Sequence, residues 1–198
     1  MAQTLQPDSM YDRLMRAPCC AGGVTPFDAH VLAAMLALAA TENEAAGFSD
    51  HALLEQIFPS ENNWLQQQPV TADRSADEQT LLALLQQGAT TGTPLERLLA
   101  EMMARRAQRP NHLWQDLGLA NRDELGHLMQ THFAPLARLN RADMKWKKFF
   151  YRQLCRNTAY SLCMAPSCCE CSDFDGCFGE ESGESLLAHI RRRADLAA

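Results

Sequence analysis

At 198 residues, 46% of them hydrophobic, the chain can bury one compact core with room for a metal-bound appendage, and its composition is that of an ordinary globular protein. A formal net charge of -6 argues against a chain-wide attraction to nucleic acid or to an anionic membrane surface. The most apolar run, Val31 to Ala40, is far short of the roughly 20 residues that span a bilayer, and the mixed stretch before it, interrupted by Asp8, Asp12 and Asp28, does not read as a secretory leader. The expected setting is the cytoplasm, where thiols stay reduced.

In chain order, residues 1–26 read as a flexible lead-in, punctuated by Pro7, Pro18, Gly22, Gly23 and Pro26. A buried, Ala- and Leu-rich helix is predicted from about Asp28 to Ala40. Ser49 is placed to cap a short helix carrying Leu53, Leu54, Ile57 and Phe58, which stops before Pro59. The polar stretch 60–74 reads as a loop. Ser75 and Glu78 form a capping-box pair opening a helix through Leu81, Leu82, Leu84 and Leu85, broken at Gly88–Gly92. Thr93, Pro94 and Glu96 start the next helix, with Leu95, Leu98, Leu99, Met102 and Met103 on one face, ending before Pro110. A turn of helix over His112–Leu117 closes at Gly118. Asn121 and Glu124 then cap a helix bearing Leu125, Leu128 and Met129, which stops near Pro135, and Asn140 opens the last long helix, to about Arg156.

No strand alternation and no internal repeat are present in this pattern. The predicted class is all-α: an irregular domain of six to seven helices over 27–157, a cysteine-rich metal-binding loop over 158–181, and a helix or tail over 182–198, with its helical part near Ser185–Arg193.

Six of the eight cysteines fall between Cys155 and Cys177. In a reducing compartment such clustering points to metal ligation or redox chemistry, and disulfides are disfavoured. Cys163, Cys168, Cys171 and Cys177 are spaced C-x4-C-x2-C-x5-C. The two-residue gap lets two sulfurs converge on one centre, and the longer gaps let a loop wrap around it. Pro166 and Gly176 supply bends, and Phe174 and Phe178 can shield the centre. This spacing suits an iron–sulfur cluster. Structural zinc is the rival, although it usually draws on two separated pairs with short gaps, and this loop has one. Cys169 lies between two of these ligands and points away from the centre they share. Cys155, at the end of the preceding helix, is either core or an additional ligand. Cys19 and Cys20 are adjacent, cannot easily bind one ion together, and read as a flexible surface pair.

Residues 143–156 place Lys145, Lys148, Arg152 and Arg156 on one helical face and Trp146, Phe149, Phe150 and Leu154 on another. The cysteine loop and its exit carry Glu170, Asp173, Asp175, Glu180, Glu181 and Glu184, with no Lys or Arg. The basic face is either a solvated surface or a site that neutralises a thiolate cluster, draws in a small oxyanion or docks an acidic partner. Nucleic acid is a poor fit to the overall acidity.

The words MKWKKFFYRQLC at 144–155, the four-cysteine run followed by Phe178-Gly179, and HLWQDLGL at 112–119 followed by Asn121-Arg122-Asp123-Glu124-Leu125 resemble the NifQ family of nitrogen-fixation accessory proteins. The resemblance is specific over 111–181 and general over 27–110. It implies a molybdenum metallochaperone, not an enzyme, that carries a molybdenum–iron–sulfur cluster and supplies molybdenum for the nitrogenase iron–molybdenum cofactor. The implied recipients are the cofactor-assembly scaffold and the nitrogenase iron protein, and the implied cargo source is molybdate or a molybdenum–sulfur species. By position, Cys163, Cys168, Cys171 and Cys177 match the family's ligand cysteines, and Cys155 matches a cysteine often seen at that helix end. Family members often have a cysteine shortly before the HLWQDLGL word; here EMMARRAQRPN has none, so no ligand role at that point applies to this chain. His112 and Asp116 either hold molybdate near the cluster or form a buried His–Asp pair at a helix junction, the second being the simpler use of two polar groups in an apolar word. A zinc-stabilised interaction module and a simple iron–sulfur electron-transfer protein are the alternatives.

Overall fold

A computed structural model describes residues 9–20, 22–42, 44–49, 51–70 and 73–154, with isolated positions at 175, 189, 192–193 and 196. Its described residues form ten α-helices and no strand, in keeping with the all-α class. None of these helices is long and apolar enough to cross a membrane.

The core is built around helix α2 (Pro26–Glu42). Ala29, Val31, Leu32, Ala33, Met35 and Leu36 are all buried, so this helix is apolar around most of its circumference and must be wrapped on several sides. Helix α1 (Met10–Met15) packs on it through buried Leu14, within the segment expected as a lead-in. A reciprocal Ser9–Asp12 capping box starts α1, which is why so short a helix forms there.

Ser49 does not cap α3 (Ala52–Ile57). Its N–H and hydroxyl both donate to the Glu101 carboxylate, at 2.7 and 2.8 Å. The stretch expected as a loop after Pro59 instead holds a 3-10 turn (Pro59–Glu61) and helix α4 (Asn62–Leu65). Leu65 is fully buried and Arg13 of α1 clamps Glu61, so tertiary contacts override the local polarity.

Helices α5 (Ala76–Gln87) and α6 (Pro94–Arg106) pack against each other. Thr93 and Glu96 form the full capping box expected for α6. At α5 only half of the expected box exists. Ser75 accepts from the Glu78 N–H, but the Glu78 carboxylate turns inward to Arg74 and Arg105, at 3.3 and 3.2 Å.

Helices α7 (Leu113–Asp116) and α8 (Arg122–His132) fall where expected, with the Asn121 side chain accepting from the Glu124 N–H. Pro135 does not end the helical run. It occupies the first turn of α9 (Ala134–Leu139), where a missing N–H costs nothing, and the break falls at buried Phe133. The last described helix, α10 (Trp146–Leu154), starts six residues later than Asn140. Asn140 instead holds a loop, accepting from the Met144 N–H and donating to its carbonyl, both at 2.9 Å.

One buried polar joint ties three helix ends together. The N–H and hydroxyl of Thr25 both donate to Asp28 Oδ2 at 2.8 Å, capping α2. Asp28 Oδ1 lies 2.7 Å from Nε2 of His132, the last residue of α8. The other ring nitrogen, Nδ1, is 3.9 Å from Oε1 of Glu96 at the start of α6. Carboxylates at helix N-termini and a histidine at a helix C-terminus each complement the local helix dipole. Burial alone pushes the Asp28 carboxyl upward, but the hydrogen bonds from His132 and Thr25 outweigh it and hold the group below its ordinary value.

Candidate functional site

The described part of the candidate site is the junction between the HLWQDLGL word and α10. Most of that word is structural. Leu113, Leu117 and Leu119 are buried. Gly118 has φ +73°, and a Cβ there would lie 3.0 Å from Leu38 and 3.2 Å from Ala34 of α2. Glycine therefore serves both the left-handed turn that ends α7 and its close approach to the central helix. Gln115 accepts from the His112 N–H at 3.1 Å.

Asp116 is the exception in this apolar stretch, at 2% exposure. A carboxylate buried to that degree must find donors. Asn111 donates to Oδ1 at 3.1 Å and the Lys147 ammonium donates to Oδ2 at 2.5 Å. Lys147 also donates to the Arg109 carbonyl. The carboxylate therefore goes to Asn111 and Lys147 rather than to the His112 ring, which corrects the expected His–Asp pair. The Asp116 backbone carbonyl accepts from Arg106 Nε at 2.6 Å, and the same guanidinium reaches Glu42 at the end of α2 with Nη1 at 2.5 Å. A line of alternating charge thus runs from α2 through α6 and α7 to α10.

Aromatic packing completes the docking of α10. Phe149 and Phe150 are buried, and Trp146 sits against both with ring centroids 5.7 and 5.8 Å apart. This face lies on α5. Lys147 on the inner side and the aromatic cluster together fix the first turns of the helix that leads into the cysteine run.

His112 caps α7 beside this junction. Burial, then the positive charges of Lys145 and Lys147, hold its imidazole below the usual histidine value, with Asp116 pulling the other way. The histidine and the basic helix, expected separately, are thus neighbours in one electropositive region. Lys145 immediately precedes α10, Lys148 is half-buried and Arg152 is exposed. Arg156, Cys155 and the four cysteines Cys163, Cys168, Cys171 and Cys177 lie outside the described residues, as does Cys169. Cys19 and Cys20 are free and exposed. Among the described residues no three His, Cys, Asp or Glu side chains converge as a metal centre.

Sequence reasoning missed Lys147. It stands between the basic and aromatic faces and belongs to neither stripe. A signal was present all the same: Asp116 is the one acidic residue in an apolar word, and such a group calls for a cation from elsewhere in the chain.

These features define an all-α protein in which a buried lysine–aspartate lock fixes the helix running into a cysteine-rich segment. A family model described as NifQ matches residues 28–179, and the chain belongs to the NifQ family. It is 41% identical to a protein NifQ homolog of Sinorhizobium fredii over 172 residues, 80% of this chain and 75% of that relative. It is 44% identical to protein NifQ of Rhodobacter capsulatus over 106 residues, 53% of this chain and 58% of the relative. With protein NifQ of Klebsiella pneumoniae the identity is 47% over 81 residues, 40% and 48% of the two chains. No solved structure matches it. Membership of this family implies an accessory role in the molybdenum handling of nitrogen fixation.

Proposed function

We propose that this chain is a cytoplasmic metallochaperone that carries a molybdenum–iron–sulfur cluster and donates molybdenum for the nitrogenase iron–molybdenum cofactor. The cluster is cargo, held by the thiolates of Cys163, Cys168, Cys171 and Cys177. Soft thiolates suit the iron sites, and a cargo meant to leave needs at least one weakly held position. The electropositive region of His112, Lys145, Lys148 and Arg152 offsets the negative charge of a four-thiolate cluster and favours approach of an oxyanion such as molybdate. The recipients in this reading are the cofactor-assembly scaffold and the nitrogenase iron protein.

The observation that carries this reading is the lock between two family words. Lys147 of MKWKKFFYRQLC donates to the buried carboxylate of Asp116 in HLWQDLGL. The lock therefore fixes the place of α10, the helix that precedes the cysteine run in sequence.

Anaerobic purification from nitrogen-fixing cells, with elemental analysis and electron paramagnetic resonance, tests the reading. Iron and molybdenum in a coloured protein are expected, and stoichiometric zinc alone would sink it. Cys168→Ala should lose bound iron, whereas Cys20→Ala should keep it; equal losses would remove the ligand assignment.

A further inference from the structure

A cleft of about 730 Å³ opens where α8, α9 and the loop into α10 come together. That volume lies within the range of about 300–1,000 Å³ in which proteins hold small molecules. Two guanidiniums from two helices line it, Arg122 of α8 and Arg138 of α9. Arg122 uses only Nη2 on the protein, donating to the carbonyl and Oδ1 of Asp143 at 2.7 and 2.9 Å and to the Met144 carbonyl at 3.2 Å. Those bonds hold Asp143 at φ +48°, a left-handed backbone that costs an L residue energy. Among the described residues Nε and Nη1 of Arg122 have no partner, and neither has any donor of Arg138. The acids lining the cleft leave these donors open. Asp143 takes only Nη2 of Arg122, and Asp123 stands in the first turn of α8, where the helix dipole complements it, and makes no ion pair among the described residues. The surrounding stretch is basic: residues 134–152 hold six Lys and Arg against a single acid, in a chain of net charge -6, so an anion is drawn to this face.

Gly126 lines the same cleft from the interior of α8. Glycine weakens a helix interior relative to alanine, and neither usual reason for it applies here. Its φ is not positive, and a Cβ would meet nothing within 4 Å. No protein atom needs the missing side chain, and the open cleft gains the room. Ala137 of α9 adds a second small residue, and Trp146, half-buried at the start of α10, adds an aromatic surface. A guanidinium takes a carboxylate in a planar, two-bond pairing. Two of them on different helices, beside small residues and an indole, suit carboxylates carried on a short carbon frame. A lone tetrahedral oxyanion would fill a small part of this volume and leave the apolar part uncovered. We propose that this cleft binds a small organic anion with two or more carboxylates. Arg138 and the open edge of Arg122 hold the carboxylates, and Gly126 admits the carbon frame. Binding is non-covalent and independent of the cluster reading above. The ligand touches Trp146, so its arrival is read at the start of α10.

The three tryptophans, Trp64, Trp114 and Trp146, give three indole N–H resonances with which to follow tricarballylate added to the full-length chain. The Trp146 signal should move saturably, and that of Trp64, in α4, should stay in place. Arg138→Gln should raise the concentration for half-saturation about fivefold or more. Arg141→Gln, at an exposed arginine that does not line the cleft, should leave it unchanged. Gly126→Leu should fold with an unchanged or higher melting temperature, because its side chain enters open space, and should lose the saturable shift. An unmoved Trp146 signal, equal weakening by R138Q and R141Q, or undiminished binding by G126L overturns the proposal. Acetate and molybdate fix the ligand class. Weaker binding of both supports a polycarboxylate, and either one matching tricarballylate overturns it.

Discussion

Asp28 and Asp116 are both buried carboxylates in the first turns of helices, and they solve the same problem differently. Asp28 has two donors from Thr25, three residues away, before His132 adds a third. Asp116 has a single local donor, Asn111, and depends on Lys147, 31 residues along the chain. The first charge is largely satisfied within its own cap, so it serves the fold wherever its partner lies. The second is satisfied only when α10 is docked. Asp116 therefore couples the helical body to the position of the helix that enters the cysteine run, which the Asp28 joint does not.

The sharpest test of that contrast is Lys147→Met. Removing the cation leaves Asp116 buried and uncompensated, at an expected cost of about 3–5 kcal/mol in urea denaturation. Adding Asp116→Asn should recover part of the loss, because a neutral amide replaces the stranded charge. Arg141→Ala, at an exposed position in the loop before α10, should cost no more than about 0.5 kcal/mol. Equal losses for K147M and R141A would remove the distinction between lock and surface.

Asp28→Asn is expected to cost less, about 1–3 kcal/mol at neutral pH, since its Thr25 contacts remain. Its signature is the pH dependence. The folded-state value of Asp28 lies below the unfolded one, so its contribution is fully present above the unfolded value of about 3.9 and is lost as pH falls through the folded value. The acid limb of the stability profile should flatten in D28N. An unchanged limb would mean that the carboxylate is not held ionised.

Gly118→Ala comes next, at about 1–2 kcal/mol from the left-handed φ alone, with the approach to Ala34 adding to it. The smallest effect concerns His112. Its folded-state value is depressed, so the neutral ring is favoured in the native state, and a modest loss of stability should appear as pH falls below about 6.5. Lys145→Gln should raise the His112 titration midpoint in NMR, and an unmoved midpoint would place Lys145 too far away to matter.

Which features were legible in the sequence follows from how local their causes are. Helices α5, α6 and α8 begin at Ser75, Thr93 and Asn121, each of which accepts the N–H three residues on, and each start is readable from a four-residue word. Helices α4 and α9 are four and six residues long and have no side-chain cap, and α4 is held by contacts such as Arg13 on Glu61 and the burial of Leu65. No short word announces those, whereas α1 does carry one, the Ser9–Asp12 box, within a stretch whose prolines and glycines read as a lead-in. The end of α8 near Pro135 is legible because proline is excluded from a helix interior, but that the same proline sits in the first turn of a further helix is not. Asn140 has the chemistry of a cap and uses it on a loop closed by Met144 instead. For the site, the basic and aromatic faces of α10 and the involvement of His112 were visible as patterns. The inward Lys147 was not, because helical periodicity sorts residues by face and cannot say which charged residue will find a buried partner.

The chain has only three lysines, Lys145, Lys147 and Lys148, all within four consecutive positions. Lys147 is nearly enclosed, with its side chain 11% exposed. Among its side chains, an amine-directed reagent therefore addresses a single spot, at the start of α10. A bifunctional amine cross-linker would join this protein, through its side chains, only to what sits at that spot. Acylation of Lys147, set against its two neighbours, would act as a clock for how often α10 lifts from the body. Chemistry that on most proteins reports an average over the whole surface would here report the docking of one helix.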